Sequence, residues 1–326
     1  MKRGIHLIRE ELRKLLACPL DRSGLLLRGG TLVCEQGHSF AVEGGIPIFT
    51  DAVRRELVPK NMEAAPQANG QGGSIDAFVN DWLVNTNGNL YKGARGRLTR
   101  YPIPEWPLAV ASADEQPIAV DIGCSWGRWS VAAARAGYLP IGLDVHIDAL
   151  AAAQRVAHQL AVETTQVCGG VEALPFRSGS IDLVFSYSVL QHIDRKKVMR
   201  FLEEAARVLK PGGTLFVQLP NAYGLYSVVR QAKRGFRDAA QGTFEMRYWT
   251  LKAIRAAIEE AGLSNLRLRA DGFFSQNPQL SDLDLLSARA RLVVRASQAG
   301  KRFAEAIPPL VSFADSLWVQ AEAPAS

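Results

Sequence analysis

The chain has 326 residues, 48% of them hydrophobic and 21% charged, enough for a sizeable core and for one large domain or a domain of roughly 200 residues with attachments. No uninterrupted apolar run reaches the length of a membrane span, and the N-terminal MKRGIHLIREELRKLL threads charges through its apolar residues, unlike a secretory signal core. A formal net charge of +6 permits an anionic partner such as RNA but is ordinary for a soluble enzyme, and four scattered cysteines (Cys18, Cys34, Cys124, Cys168) suit a reducing, cytoplasmic compartment better than a disulfide framework.

The periodicity predicts a first helix over residues 5–16, with Ile8, Leu12, Leu15 and Leu16 on one face. A short β-rich module follows to about residue 50, its apolar runs separated by Gly and Pro turns, so residues 1–50 form one N-terminal unit. Residues 51–74 read as a linker, rich in Pro, Gly, Ala, Asn and Gln from residue 59. Residues 75–110 read as a helical lid segment in which Trp82, Tyr91, Tyr101 and Trp106 alternate with Lys92, Arg95, Arg97 and Arg100. That mixture fits stacking on a ring, or helices packed over the edge of the main domain.

The main domain, residues 111–326, alternates strands and helices. Strands are expected at 118–121, 139–143, 165–168, 181–186 and 214–219, and helices at 126–136, 147–161 and 195–209. The last helix carries the stripe Val198, Phe201, Leu202, Ala205, Val208, Leu209 and is expected to stop at Lys210-Pro211-Gly212-Gly213. Such alternation gives a mostly parallel sheet with helices on both faces. A helix (250–262), a strand (265–271), an insert at 275–312 that is helical over 281–305, and a last strand (313–321) complete the domain.

The first strand runs into Asp121, then Gly123-Cys124-Ser125-Trp126-Gly127, then an Ala-rich helix. A glycine bend opening a βα unit leaves backbone N–H groups bare toward a ligand. Asp144 ends the next strand, about twenty residues on, where an acid accepts hydrogen bonds from ribose hydroxyls. The bend reads Gly123-Cys124-Ser125-Trp126-Gly127 where a dinucleotide fingerprint wants Gly-x-Gly-x-x-Gly, and the acid before it suits a cationic amino group. Ser125 stands at the middle glycine position and tolerates the bend if its φ stays negative.

VDIGCSWGRW (120–129), IGLD (141–144), GGVEALPFRSGSIDLVFSYSVLQHI (169–193) and RVLKPGG (207–213) together resemble the class I S-adenosylmethionine-dependent methyltransferases of the type 11 branch. The resemblance implies a Rossmann-like α/β fold with a seven-stranded sheet. It implies that Asp121 and the backbone of Gly123, Cys124, Ser125 and Gly127 meet the methionine part of the cofactor, Asp144 with Val145 the ribose, and Val171 and Glu172 the adenine. Ser186 then lies near the transferred methyl. Gly170 stands where the family usually has an acid. His192 is the candidate general base, and Tyr91 and Tyr187 are candidate substrate-pocket residues.

In the N-terminal module Cys18, Asp21, Cys34 and His38 have the outline of a two-knuckle zinc ribbon with Asp21 at one cysteine position. The module resembles the Trm112-like ribbons fused ahead of some methyltransferases, and the ribbon of ribosomal RNA guanine-N1 methyltransferases. The expected function is methyl transfer to a small-molecule, glycan or lipid-intermediate acceptor. RNA base methylation at guanine N1 is the second reading, carried by the ribbon and the basic clusters 92–100, 230–237 and 289–302. A non-catalytic cofactor-binding protein is the third.

Overall fold

A computed structural model describes residues 10–51, 53, 74–109, 116–274 and 279–325. The N-terminal part of the first expected helix, nearly all of the expected linker and the start of the insert therefore lie outside the described residues. The chain begins with α1 (Glu10–Leu15) and four short strands, β1 (Leu25–Arg28), β2 (Thr31–Cys34), β3 (Ser39–Glu43) and β4 (Ile46–Pro47), which pair in order as an antiparallel sheet. After α2 (Ala77–Asn87) comes the main alternation: β5 (Ile118–Ile122), α3 (Arg128–Arg135), β6 (Leu139–Asp144), α4 (Ile147–Gln159), β7 (Thr165–Cys168), β8 (Ile181–Ser186), α5 (Arg195–Val208) and β9 (Leu209–Pro220). Then follow α6 (Leu225–Lys233), α7 (Leu251–Glu260), β10 (Ser264–Gly272), α8 (Ala288–Ala306) and β11 (Ser316–Glu322).

The large sheet has seven strands in the order β10-β11-β9-β8-β5-β6-β7. Only β11 runs against the others, since it pairs antiparallel with both β9 and β10. The order reverses between β5 and β8, and in such open sheets ligands gather at the carboxyl ends of the strands beside that reversal. The Gly123 bend leaves β5 there.

Strand residues alternate between two cores, as the pleat requires. Val120, Ile122, Val184, Leu215 and Val217 face α5, α7 and the N-terminal module, whose Leu12, Leu16, Leu32 and Phe40 belong to the same cluster. Ala119, Leu183, Phe185 and Phe216 face Trp129 of α3 with Tyr138 and Trp318. The module is also tied in through its backbone: Phe49 N–H donates to Cys168 C=O at 2.7 Å, and Ala17 N–H to Pro175 C=O at 3.0 Å.

The expected helix 195–209 buries Val198, Phe201, Leu202, Ala205 and Val208, but its end differs. Leu209 already belongs to β9, and Lys210 to Gly213 form an irregular step inside that strand: Ile181 pairs Leu209, while Leu183 pairs Thr214. Gly212, at φ 72°, supplies the left-handed backbone the step needs. The insert opens with a short 3-10 turn (Leu280–Leu285) before α8, whose first turn is capped by Ser287 accepting from Ala290 N–H. Helix α6 was absent from the sequence-based elements. Among the described residues, no helix is long and apolar enough to cross a membrane.

Candidate functional site

The bend after β5 is drawn onto the second strand by its own backbone. Gly123 N–H donates to Leu143 C=O at 2.7 Å and Cys124 N–H to the same oxygen at 3.2 Å. Gly123 has φ 70°, and a Cβ built there would stand 2.4 Å from Val189 Cγ2, so no other residue fits without displacement. Gly127, at φ 81°, turns the chain into α3, where a Cβ would press on Ala153 at 3.1 Å. The expectation for Ser125 is corrected: its φ is +48°. The strained residue is held by Asp144, whose Oδ2 accepts from Ser125 N–H at 3.0 Å. Cys124 is buried, its sulfur filling the space above Gly142.

Asp144 Oδ1 accepts from His146 N–H at 2.9 Å, so the carboxylate clamps two turns and keeps lone pairs for further donors. Val145 follows it and gives its carbonyl to Cys168 Sγ at 3.8 Å. Asp121, on the α3 face of β5, accepts from Ser130 Oγ at 2.7 Å. Burial pushes the Asp121 carboxyl up to about 7; the Ser130 hydrogen bond opposes this and the negative charge of Asp144 adds to it. Asp144 is raised too, by burial, against the pull of the Ser125 and His146 amides. A buried acid, Asp121, beside the half-buried Asp144, neither with an ion pair among the described residues, fits a cationic ligand and a hydroxyl donor.

The other expected residues divide. Val171 packs on the core beside Gly170, where an added Cβ would meet open space. Glu172 is half-exposed and pairs with Lys197 at 2.7 Å, a surface ion pair. Ser186 is fully buried and donates to Ile122 C=O at 3.1 Å, so its hydroxyl fastens β8 to β5. His192 donates through Nδ1–H to Phe244 C=O at 3.1 Å and stacks on the Phe244 ring at 4.0 Å. That bond leaves Nε2 as the unprotonated nitrogen, and burial lowers the imidazole from its ordinary value. Tyr91 is fully buried, its hydroxyl given to Asp282.

Tyr187 points the same way as Trp129 and Trp318, with ring centroids 4.7 and 5.0 Å away. Its hydroxyl donates to Asp271 Oδ2 at 2.9 Å and accepts from Gln279 Nε2 at 3.1 Å. Both partners line a cavity of about 170 Å³ together with Trp106, Trp129, Trp318 and Lys301. Asp271 also accepts from Ser316 Oγ at 2.6 Å, and burial raises its carboxyl against the attraction of Lys301. Sequence reading missed this cavity. Its walls come from α3, β10, α8, β11, the segment 105–107 and the turn before α8, and the one sequence signal was the cluster of tryptophans itself.

In the N-terminal module the four expected ligands converge, all their ligating atoms lying within 4.8 Å of one another. His38 Nδ1 is 3.1 Å from Asp21 Oδ2, 3.3 Å from Cys34 Sγ and 3.5 Å from Cys18 Sγ, and Cys34 Sγ is 3.2 Å from Asp21 Oδ2. Edges of about 3.3–3.8 Å are what tetrahedral zinc with sulfur, nitrogen and oxygen donors needs. The donor set fits the ion.

Residues 120–217 match the family described as "Methyltransferase domain". These residues form a class I S-adenosylmethionine-dependent methyltransferase domain. The biotin biosynthesis bifunctional protein BioHC of Cellvibrio japonicus is 31% identical over 147 residues, covering 45% of this chain and 28% of that protein. The ubiquinone biosynthesis O-methyltransferase of Coxiella burnetii is 29% identical over 114 residues, covering 34% of this chain and 47% of that enzyme. The chain thus spans less than half of either relative. A solved S-adenosylmethionine-dependent methyltransferase from Methanosarcina mazei is 18% identical with a TM-score of 0.46, over 67% of this chain and 100% of that one.

A cofactor ammonium placed on Asp121, with its raised carboxyl, would make binding pH-dependent. The carboxyl's folded-state value lies above the ordinary 3.8, so the neutral form favours the folded, empty site; that stabilisation is full below about pH 4 and is lost as pH rises through 7. A bound ammonium favours the ionised form instead. Binding at pH 6 is therefore expected to release close to one proton, fading well above pH 7. Calorimetry in two buffers of different ionisation heat reads this directly; equal heats in both, or the same release in Asp121→Asn, would remove the assignment.

Proposed function

We propose that the chain transfers a methyl group from S-adenosylmethionine to a small-molecule acceptor held in the tryptophan-lined cavity. The observation that carries this reading is the adjacency of the two sites: Trp129 follows the Gly127 bend by two residues and also forms the cavity wall. When bound, the cofactor supplies an electrophilic methyl on a sulfonium. The chain supplies position: Gly123–Gly127 and Asp144 hold the donor, while the aromatic walls exclude water and align an apolar acceptor. A hydroxyl or ammonium acceptor gives up a proton, and this sheet edge offers two takers, the Asp271 carboxylate in the cavity and His192 Nε2 after β8. The names of the two relatives, both from cofactor biosynthesis, support a small organic acceptor over a nucleic acid.

The test is transfer of labelled methyl from the cofactor into fractionated cell extract by the full chain. Label is expected in small organic or lipid-extractable pools, and it is expected to drop in Asp271→Asn or His192→Ala according to which group takes the proton. Label confined to RNA would replace this reading with base methylation.

We also propose that Cys18, Asp21, Cys34 and His38 hold a structural zinc ion, all four positions being filled by the chain. Protein purified without chelator is expected to contain about one zinc per chain. Chelation is expected to lower the melting temperature, because β1–β3 share a core with the large sheet. A zinc content near zero would end the proposal, and Asp21→Cys is expected to tighten the site.

A further inference from the structure

Helix α6 leaves the carboxyl end of β9, on the same sheet edge as the glycine bend, and among its nine residues only Ser227 is buried. Its exposed residues are apolar to an unusual degree: Leu225 is 49% exposed, Tyr226 43%, Val228 40% and Val229 48%. Tyr223 before it and Phe236 after it are more exposed still, at 58% and 66%. Phe236 holds φ +54°, directly after Gly235 at +63°, so a strained turn presents this ring to solvent.

The apolar surface is rigidly mounted. Buried Asp315 accepts from Ser227 N–H at 2.6 Å and from Phe274 N–H at 2.7 Å, fixing α6 and the end of β10 to one carboxylate. Asn221 ties the same corner by donating to Ser312 and Ala314 carbonyls at 2.7 and 2.9 Å. Phe274 and Phe313, each nearly half exposed, therefore extend the α6 surface into one patch. Isolated exposed apolar residues are ordinary, but a contiguous patch of this kind marks a contact surface.

The charge around it is one-sided. Residues 223–237 carry Arg230, Lys233, Arg234 and Arg237 and no acid, and the exposed Asp238 that follows them lies 3.7 Å from Arg195. Arg237 is paired with Glu245, while Arg230 and Lys233 have no ion pair among the described residues. Apolar and aromatic side chains beside unpaired cations match an anionic lipid surface, where the rings and aliphatic groups enter the acyl boundary and the cations meet headgroups. Single-stranded RNA would satisfy the rings and the cations but leave Leu225, Val228 and Val229 in water.

We propose that α6 with Tyr223, Phe236, Phe274 and Phe313 docks the protein on an anionic bilayer surface. The proposal goes beyond the transfer reaction and does not depend on it. Docked in this way, the edge that carries the cofactor bend and the cavity faces the lipid, which would bring an amphiphilic acceptor to the site.

The full chain should co-float with vesicles of phosphatidylcholine mixed with phosphatidylglycerol, and far less with phosphatidylcholine alone. Arg230→Gln with Lys233→Gln is expected to weaken binding about 20-fold, from roughly fivefold per cation near a charged surface. Leu225→Asp with Val229→Asp is expected to abolish it at every salt concentration. Leu225, Val229 and Lys233 are exposed and Arg230 is half-buried on the Tyr226 ring, so melting temperature and cofactor affinity should be unchanged in both variants, which separates lost docking from lost folding. Three outcomes would overturn the proposal. Wild-type chain could fail to float with the anionic vesicles. The Leu225→Asp, Val229→Asp variant could float like wild type. Or the patch substitutions could abolish binding to single-stranded RNA, or self-association, with vesicle binding untouched.

Discussion

A Gly123→Ala variant is expected to bind S-adenosylmethionine on the order of a hundredfold more weakly and to lose turnover in proportion. The reason is local. Gly123 holds φ 70°, a region that costs an L-residue about 1–2 kcal/mol, and the new Cβ would meet Val189 Cγ2 at 2.4 Å and Cγ1 at 2.6 Å. Overpacking of that kind adds about 1–3 kcal/mol, and the two effects together reach a hundredfold if the bend relieves them by moving. It cannot move alone, because its N–H groups are fixed to Leu143 C=O and its Ser125 amide to Asp144. A second substitution separates the causes: Val189→Ala removes both methyl groups, so the double variant should regain the packing share and keep the backbone share. Wild-type cofactor affinity in Gly123→Ala, measured by calorimetry, would show that the bend does not carry the ligand.

Much of the fold was legible because its signals are local. Strand and helix alternation, the glycine bend and the acid ending each of the first two strands all lie within short windows, whereas the sheet order, reversed between β5 and β8 and with β11 set between β9 and β10, does not. The four metal-type residues were legible for the same reason, being two pairs with ribbon spacing; the fold adds only that the pairs meet. What stayed hidden depends on distant partners. Ser125 looked safe at negative φ, but Asp144 and the chain reversal at Gly127 hold it at +48°. Glu172 reads as an adenine neighbour until Lys197, from α5, claims it. Asp271 had no motif around it: its place in the cavity is set by β11 running antiparallel between β9 and β10, which brings Ser316 to it. Helix α6 is only nine residues long and buries a single residue, Ser227, so its short apolar stripe faces solvent and gives no core-directed pattern.

The largest expected loss of stability lies in the network that Tyr91 joins. Asp282, fully buried, accepts from the Tyr91 hydroxyl and from Arg128 Nη2 at 3.3 Å, with Arg100 Nη1 at 3.6 Å. Arg128 is buried as well, between the Tyr91 and Trp129 rings at 5.8 and 5.9 Å, and its Nε and Nη1 have no hydrogen-bond partner among the described residues. Asp282→Ala would leave that guanidinium as a buried charge without its counter-ion, a change that costs about 3–5 kcal/mol. At roughly 2–4 °C per kcal/mol for a domain of this size, the melting temperature should fall by on the order of 10 °C. Removing both charges is expected to be milder than removing one, so Asp282→Leu combined with Arg128→Met should recover part of the loss. Arg128 opens α3 directly after Gly127, so the single variant should also loosen the bend and weaken cofactor binding, while the double variant restores the helix start. A melting temperature in Asp282→Ala within a degree or two of wild type would mean that water reaches Arg128 and that the pair is not sealed.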